Sequence, residues 1–163
     1  MEKLCFLSHE NLAYYKKRRC TTLYTYLDFA ESDYRFFREC TEANIIGTAL
    51  AKIGYDICER YLKHIIFSFG PKSTFSEILK KEDVLKSDRL TILLQYIQKN
   101  MDISVSSSLN DILTIIEQPR IKEHPHPGTS LPTQEDIENV IHAVEQTRQF
   151  VFSVLRKHTT GAA

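Results

Sequence analysis

The sequence predicts an all-α fold, an up-and-down bundle of about five helices. Three observations lead there. Apolar residues recur at steps of three and four through most of the chain, the period of a helix with one buried face. The 163 residues include only five glycines and five prolines, and long stretches carry neither. No run alternates apolar and polar residues long enough to supply a sheet; the β-branched stretch Asp102–Ser106 is too short.

The first helix is expected over Cys20–Glu39, where Leu23, Tyr26, Leu27, Ala30, Tyr34 and Phe37 form one stripe and Thr21 or Thr22 can cap the start. The second, Asn44–Phe69, has two adjacent apolar rows. Ile45, Ala49, Ile53, Ile57, Tyr61 and Ile65 make one; Ile46, Leu50, Gly54, Cys58, Leu62 and Ile66 make the other. So broad an apolar face suits the central helix of a bundle. Gly47 and Gly54, seven apart, suggest close helix–helix approach, and Gly70-Pro71 ends the helix. Ser73–Val84 reads as a short helix or an ordered loop. Ser87–Asn100 carries Leu90, Leu93, Leu94 and Ile97 on one face. Ser108–Glu117, capped by Ser108 or Asn110, carries Ile112, Leu113, Ile115 and Ile116. Four of the five prolines fall in 119–132, which predicts a loop. Thr133-Gln-Glu-Asp136 then has capping-box spacing and opens a last helix to about Lys157, with Thr159–Ala163 as a fraying tail. The expected organisation is one domain over 20–158, preceded by an extension or helix start at 1–19.

Twenty-one basic and twenty-one acidic residues cancel. That balance argues against a non-specific nucleic-acid binder, which carries a surplus of Lys and Arg, but leaves room for a local basic site. Cys5, Cys20, Cys40 and Cys58 form no close pair of the kind a zinc framework uses. No stretch of about 18 apolar residues is present, so no membrane span is expected. No signal-peptide-length apolar run opens the chain. A reduced, cytoplasmic protein with free thiols is the plain expectation. The P-loop, the nucleophile elbow and the Gly-rich dinucleotide fingerprint are all missing from the sequence, which therefore supports neither an ATPase nor a hydrolase of those kinds.

Three segments, in order, carry a resemblance. Phe29-Ala-Glu-Ser-Asp-Tyr-Arg-Phe-Phe37 has an Ala-Glu-x-Asp start. Ala49–Phe67 includes Glu59-Arg-Tyr-Leu-Lys63-His-Ile-Ile66, a Glu and a Lys four apart before an aliphatic run. Pro119-Arg-Ile-Lys-Glu-His-Pro-His-Pro-Gly128 precedes the acidic Gln134-Glu-Asp-Ile137 and the helix through Phe150-Val151. Over about residues 25–157 this order resembles the HEPN superfamily, small helical bundles often encoded beside minimal nucleotidyltransferases. The resemblance implies a homodimer whose polar loops face one cleft, with nucleotide or RNA as ligand, no cofactor, and a setting among toxin–antitoxin pairs. It also implies a metal-independent endoribonuclease as the sharpest activity. In that branch an Arg is followed after four to six residues by a His; here Arg120 and His126 are separated by five. The family's motif has a polar residue directly after the Arg and sits at a helix start. Here Ile121 follows, Pro125 and Pro127 bracket the His, and the Pro-Gly ending is nearer the non-nuclease branch.

The chemistry of such a pair is direct. Arg keeps its charge and offers a fork of donors suited to phosphate, while His titrates near neutrality and can move a proton. RNA brings its own nucleophile, the 2′-hydroxyl. Arg60, Lys63, His64 and His124 are further nucleotide-binding candidates, Arg60 and His64 lying one helical turn apart. Each has a plainer alternative: a solvated proline-stiffened loop for Arg120, His124 and His126, and a Glu59–Lys63 helix pair beside a partly buried His for the others. His124 and His126 form a His-x-His pair with Glu123 and Glu135 nearby in sequence, but no metal site is expected. The basic run Lys16–Arg19 with Tyr14, Tyr15 and Tyr24 mixes charge and aromatics as single-strand sites do, or is a solvated helix face. The competing function class is a non-catalytic helical interaction module, partner or substrate-binding subunit of a separately encoded nucleotidyltransferase.

Overall fold

The structure is a computed structural model that describes residues 24–123, 127–128 and 130–160. Among these residues there are seven helices and no strand. They are α1 (Tyr26–Glu42), α2 (Thr48–Phe69), α3 (Phe75–Leu85), α4 (Leu90–Asn100), α5 (Ser107–Ile116), α6 (Pro119–Lys122) and α7 (Gln134–Thr160). The all-α bundle expected from the apolar periodicity is present. The two helices beyond five are α3, from the segment read as helix or loop, and the single turn α6 inside the proline-rich stretch.

Helix α1 starts at a capping box. The Thr25 N–H donates to Asp28 Oδ2 at 2.6 Å, and the Asp28 N–H donates to Thr25 Oγ1 at 3.3 Å. This cap lies later than the expected start at Cys20; Thr21 and Thr22 lie outside the described residues. Leu27, Ala30, Tyr34 and Phe37 form its buried stripe. The helix closes through Asn44, held at φ 54°, a left-handed conformation that asparagine tolerates better than most residues.

Helix α2 is the hub: it packs against α1, α3, α4, α6 and α7. Residues 61–66 are all buried, so over this stretch the helix is surrounded rather than one-faced. Both apolar rows are buried from Leu50 onward, apart from half-buried Ile53, but their first members are not. Ile45 is 64% exposed and precedes the helix, which begins only at Thr48 after the turn at Asn44. Gly54 shows why a glycine is needed: a Cβ there would stand 2.3 Å from Val140 Cγ1 of α7 and 2.9 Å from Phe37 Cε2 of α1. The three long helices close on each other at this point. Gly47 has open space and simply caps the helix, so of the two glycines only Gly54 serves close approach.

Short local signals set the remaining helices. Thr74 and Glu77 cap α3 reciprocally, with the Thr74 N–H donating to Glu77 at 2.9 Å. Ser106, rather than Ser108 or Asn110, caps α5 by accepting from the Leu109 N–H at 3.2 Å. Pro119 occupies the first turn of α6, where its missing N–H costs nothing and its fixed φ suits a helix. Ile121 of that single turn is fully buried against α2, and burying such a side chain stabilises by about 2 kcal/mol. Helix α7 continues to Thr160, past the expected end at Lys157.

Candidate functional site

The turn before α7 is built around Asp136. Its Oδ2 accepts the Thr133 N–H at 2.8 Å, and its own N–H donates to Thr133 Oγ1 at 3.2 Å, the capping box expected from the sequence. The same carboxylate takes a two-pronged contact from Arg120: Nε to Oδ2 at 2.7 Å and Nη2 to Oδ1 at 2.9 Å. The Asp136 side chain is 7% exposed and that of Arg120 is 35% exposed. Arg120 beside it holds the Asp136 carboxyl down at about 2, with the Thr133 bonds adding to the effect. One acid therefore both caps α7 and fastens α6 to it. A guanidinium has five N–H donors, and Asp136 uses two of them. His124 and His126, the other sequence candidates on this turn, lie outside the described residues.

The charged row on α2 divides. Arg60 pairs across to Asp33 of α1. Lys63 donates to Glu59 Oε1 at 2.6 Å, with side chains 11% and 20% exposed. That pair was expected on a solvated face; it is largely covered because α2 is surrounded at this level. His64 is fully buried, so although one helical turn from Arg60 it does not share that residue's partly exposed setting.

Lys63 also acts beyond its own helix. Lys122 of α6 pairs with Asp88, just before α4, at 2.7 Å. The Lys122 contact lowers the Asp88 carboxyl from its ordinary value, and the charge of Lys63 lowers it further. The backbone carbonyl of Asp88 accepts from the Tyr55 hydroxyl of α2 at 2.7 Å. Lys63 and Lys122 thus come from segments far apart in sequence but both act on Asp88, while Arg120, on the same turn as Lys122, pairs with Asp136 of α7 instead.

The most buried polar assembly escaped sequence reasoning. Arg148 of α7 donates to Glu31 of α1 from Nε at 2.9 Å and from Nη2 at 3.0 Å. Its guanidinium carbon lies 4.4 Å from the Tyr34 ring centre and 4.7 Å from that of Phe152. The Tyr61 hydroxyl of α2 also donates to Glu31. Tyr34 in turn donates to Glu145 at 2.8 Å. Burial and then Glu145 push the Tyr34 hydroxyl up to about 12, and burial raises that of Tyr61 well above its usual range. Burial works against the Arg148 charge, but the Glu31 bonds outweigh it and keep the guanidinium protonated. Tyr34, Tyr61 and Arg148 are thereby locked in one charge state near neutral pH. One signal was legible: Glu31 sits at a core position of the α1 stripe, between Leu27 and Tyr34, and a carboxylate there requires a buried cation.

Burial also pushes the Cys58 thiol up to about 12, so it is a packing group and not a nucleophile at neutral pH. Cys40 is half-buried and free. Among the described residues no three His, Cys, Asp or Glu side chains gather as metal ligands, and no helix is long and apolar enough to cross a membrane. No family model matches the sequence, and no curated protein or solved structure does so.

Proposed function

We propose that this chain is a HEPN-type helical domain that binds a nucleotide or RNA as a homodimer, through the junction of α2, α4 and α6 and the proline-rich turn that follows. What supports this reading is that Lys122 of α6 and Lys63 of α2 both act on Asp88, with Arg120 on the same single turn as Lys122 and held by Asp136. Phosphate binding is favoured by cations held in fixed positions, and Asp136 pre-orients the Arg120 fork while using two of its five donors. In its sharpest version the domain cleaves RNA without a metal. Arg120 holds the phosphate, the 2′-hydroxyl attacks phosphorus as the bond to the 5′-oxygen breaks, leaving a 2′,3′-cyclic phosphate, and His126 takes the hydroxyl proton or gives one to the departing 5′-oxygen.

Incubating the protein with single-stranded RNA in EDTA tests this. Cleavage should occur, and His126→Ala should abolish it while leaving binding intact. Binding through three cations predicts that log K falls with log salt at a slope of about −2 for a single strand. Cleavage unchanged in His126→Ala removes the catalytic assignment; absence of any RNA or nucleotide binding at low salt removes the whole reading.

A second reading, a non-catalytic partner or substrate-binding subunit of a separately encoded nucleotidyltransferase, has its own support. Each of Arg60, Lys63, Arg120 and Lys122 already faces a carboxylate, so the junction as built is close to neutral. An adjacent nucleotidyltransferase gene whose product forms a stable complex with this chain, together with no RNA binding, decides for that reading.

A further inference from the structure

Helix α1 buries one stripe and leaves a second largely in water. The buried stripe enters the core. The outer one runs Tyr26, Phe29, Asp33, Phe36 and Cys40, in steps of three, four, three and four, the spacing of a seam between packed helices. Phe29 and Phe36 are 51% and 53% exposed, and Tyr26 and Cys40 are half-buried. The face continues beyond the helix. Tyr24, 80% exposed, has its ring centre 5.8 Å from that of Phe29, and Phe67 of α2, 51% exposed, lies 6.1 Å from Tyr26. Contiguous exposed apolar surface of this kind marks an interaction site.

The order of the seam residues says what fits it. Read from either end, the row runs apolar, Phe, Asp, Phe, apolar. Tyr26 and Cys40 each stand seven residues from Asp33, with Phe29 four before it and Phe36 three after. A two-fold axis beside Asp33 therefore lays a second α1 antiparallel on the first. Phe29 of one copy then meets Phe36 of the other, and Tyr26 of one meets Cys40 of the other. An isologous contact needs a surface complementary to itself, and this row is one. Its centre brings no bare charge, because Asp33 is already paired with Arg60 of α2 in the same chain. Nor do whole molecules repel each other, since the basic and acidic residues cancel.

We infer that a second copy of this chain covers the face, its α1 lying antiparallel on α1 of the first about a two-fold axis beside Asp33. The inference adds a face to the homodimer of the nucleic-acid reading and rests on that reading in this respect alone. It uses none of Lys63, Arg120 and Lys122.

Sedimentation of the full chain in the absence of RNA tests it. At about 100 μM the chain should run as a dimer, because a pair of even micromolar strength is nearly complete there. Phe36→Glu should give a monomer that unfolds as cooperatively as the unmodified protein. Ile115→Glu, at a residue of α5 that is 44% exposed, should stay dimeric. Paired cysteines check the register independently of Phe36→Glu. In a background with Cys5, Cys20 and Cys40 changed to serine, Phe29→Cys mixed with Phe36→Cys should yield a disulfide-linked dimer on mild oxidation. Neither variant alone should do so, because the antiparallel crossing offsets two copies of one position by roughly 10 Å along the helix, beyond disulfide reach. Three results overturn the inference: a monomer at that concentration, a dimer that Phe36→Glu leaves intact or Ile115→Glu dissolves, or a cysteine mixture that links no better than its parts.

Discussion

Replacing Arg148 by methionine should be among the most damaging single changes in the molecule. The substitution keeps length and apolar bulk, so Tyr34 and Phe152 retain a neighbour, but it strands the Glu31 carboxylate at a site only 8% exposed. Removing one partner of a buried pair costs about 3–5 kcal/mol, because the other charge stays behind without its counterion. Arg148 is itself 20% exposed, which allows some water to reach the stranded acid, and the Tyr61 hydroxyl still donates to it. Both effects favour the lower end, about 3 kcal/mol. Urea unfolding at pH 7 measures the cost directly. Two further measurements separate a stranded charge from a simple packing loss. The deficit should shrink as the pH falls toward 4, where a carboxylate short of a counterion takes up a proton and sheds its desolvation cost. The double variant Glu31→Leu with Arg148→Met should recover most of the loss, because two apolar groups need no pairing. If Arg148→Met costs under about 1 kcal/mol, or if the two changes simply add, the pair is not what joins α1 to α7 and the reasoning fails.

Two other outcomes follow from the geometry. Gly54→Ala forces a methyl group into Val140 and Phe37 and should cost about 1–3 kcal/mol by thermal or urea unfolding, whereas Gly47→Ala, with open space around it, should change stability far less. The Asp136 carboxyl is depressed from an ordinary 3.8 to about 2, so its contribution to stability is present above the unfolded value and is lost as the pH falls through about 2. Asp136→Asn should therefore flatten the stability profile between about pH 4 and pH 2 relative to the unmodified protein, and an unchanged slope there would count against the Arg120 clamp.

Those same contacts show what the sequence could and could not reveal. Signals confined to a few neighbouring residues were readable. Thr133 and Asp136 announced the start of α7, and the double apolar row announced α2 as the central helix. Signals that were degenerate slid by a few positions. Ser106, Ser107 and Ser108 are equal as caps by composition, and which one caps α5 depends on where Leu109 must be buried. The two rows of α2 continued in sequence back to Ile45 and Ile46, but the left-handed turn at Asn44 and the cap at Gly47 delayed the helix, leaving Ile45 in water. Pro119 was read as a breaker when its place at a first turn made it a starter of α6.

The candidate site was legible as a set of residue types and not as a set of contacts. Arg120 and Asp136 stand sixteen apart, Lys122 and Asp88 further, and Glu31 and Arg148 are separated by most of the chain. Nothing local pairs them. A charge pattern on one helix showed that Arg60 and Lys63 were available, but not that Asp33 of α1 would take the first or that the covering of α2 would bury His64.

Glu117 shows a further consequence of pairing at a distance. Helix α4 has no side-chain cap of its own, since Arg89 stands at its N-cap position. Glu117, just past the end of α5, accepts the Thr91 N–H at 3.2 Å, takes the Thr91 hydroxyl as well, and receives Arg89 Nε at 2.8 Å. The borrowed carboxylate makes the start of α4 depend on the end of α5, and at eleven and ten residues both helices are too short to be stable alone. A fragment cut between them should lose both, and a scheme that assigns helix boundaries from neighbouring residues will always misplace the beginning of α4, because the group that sets it arrives from the far end of the hairpin.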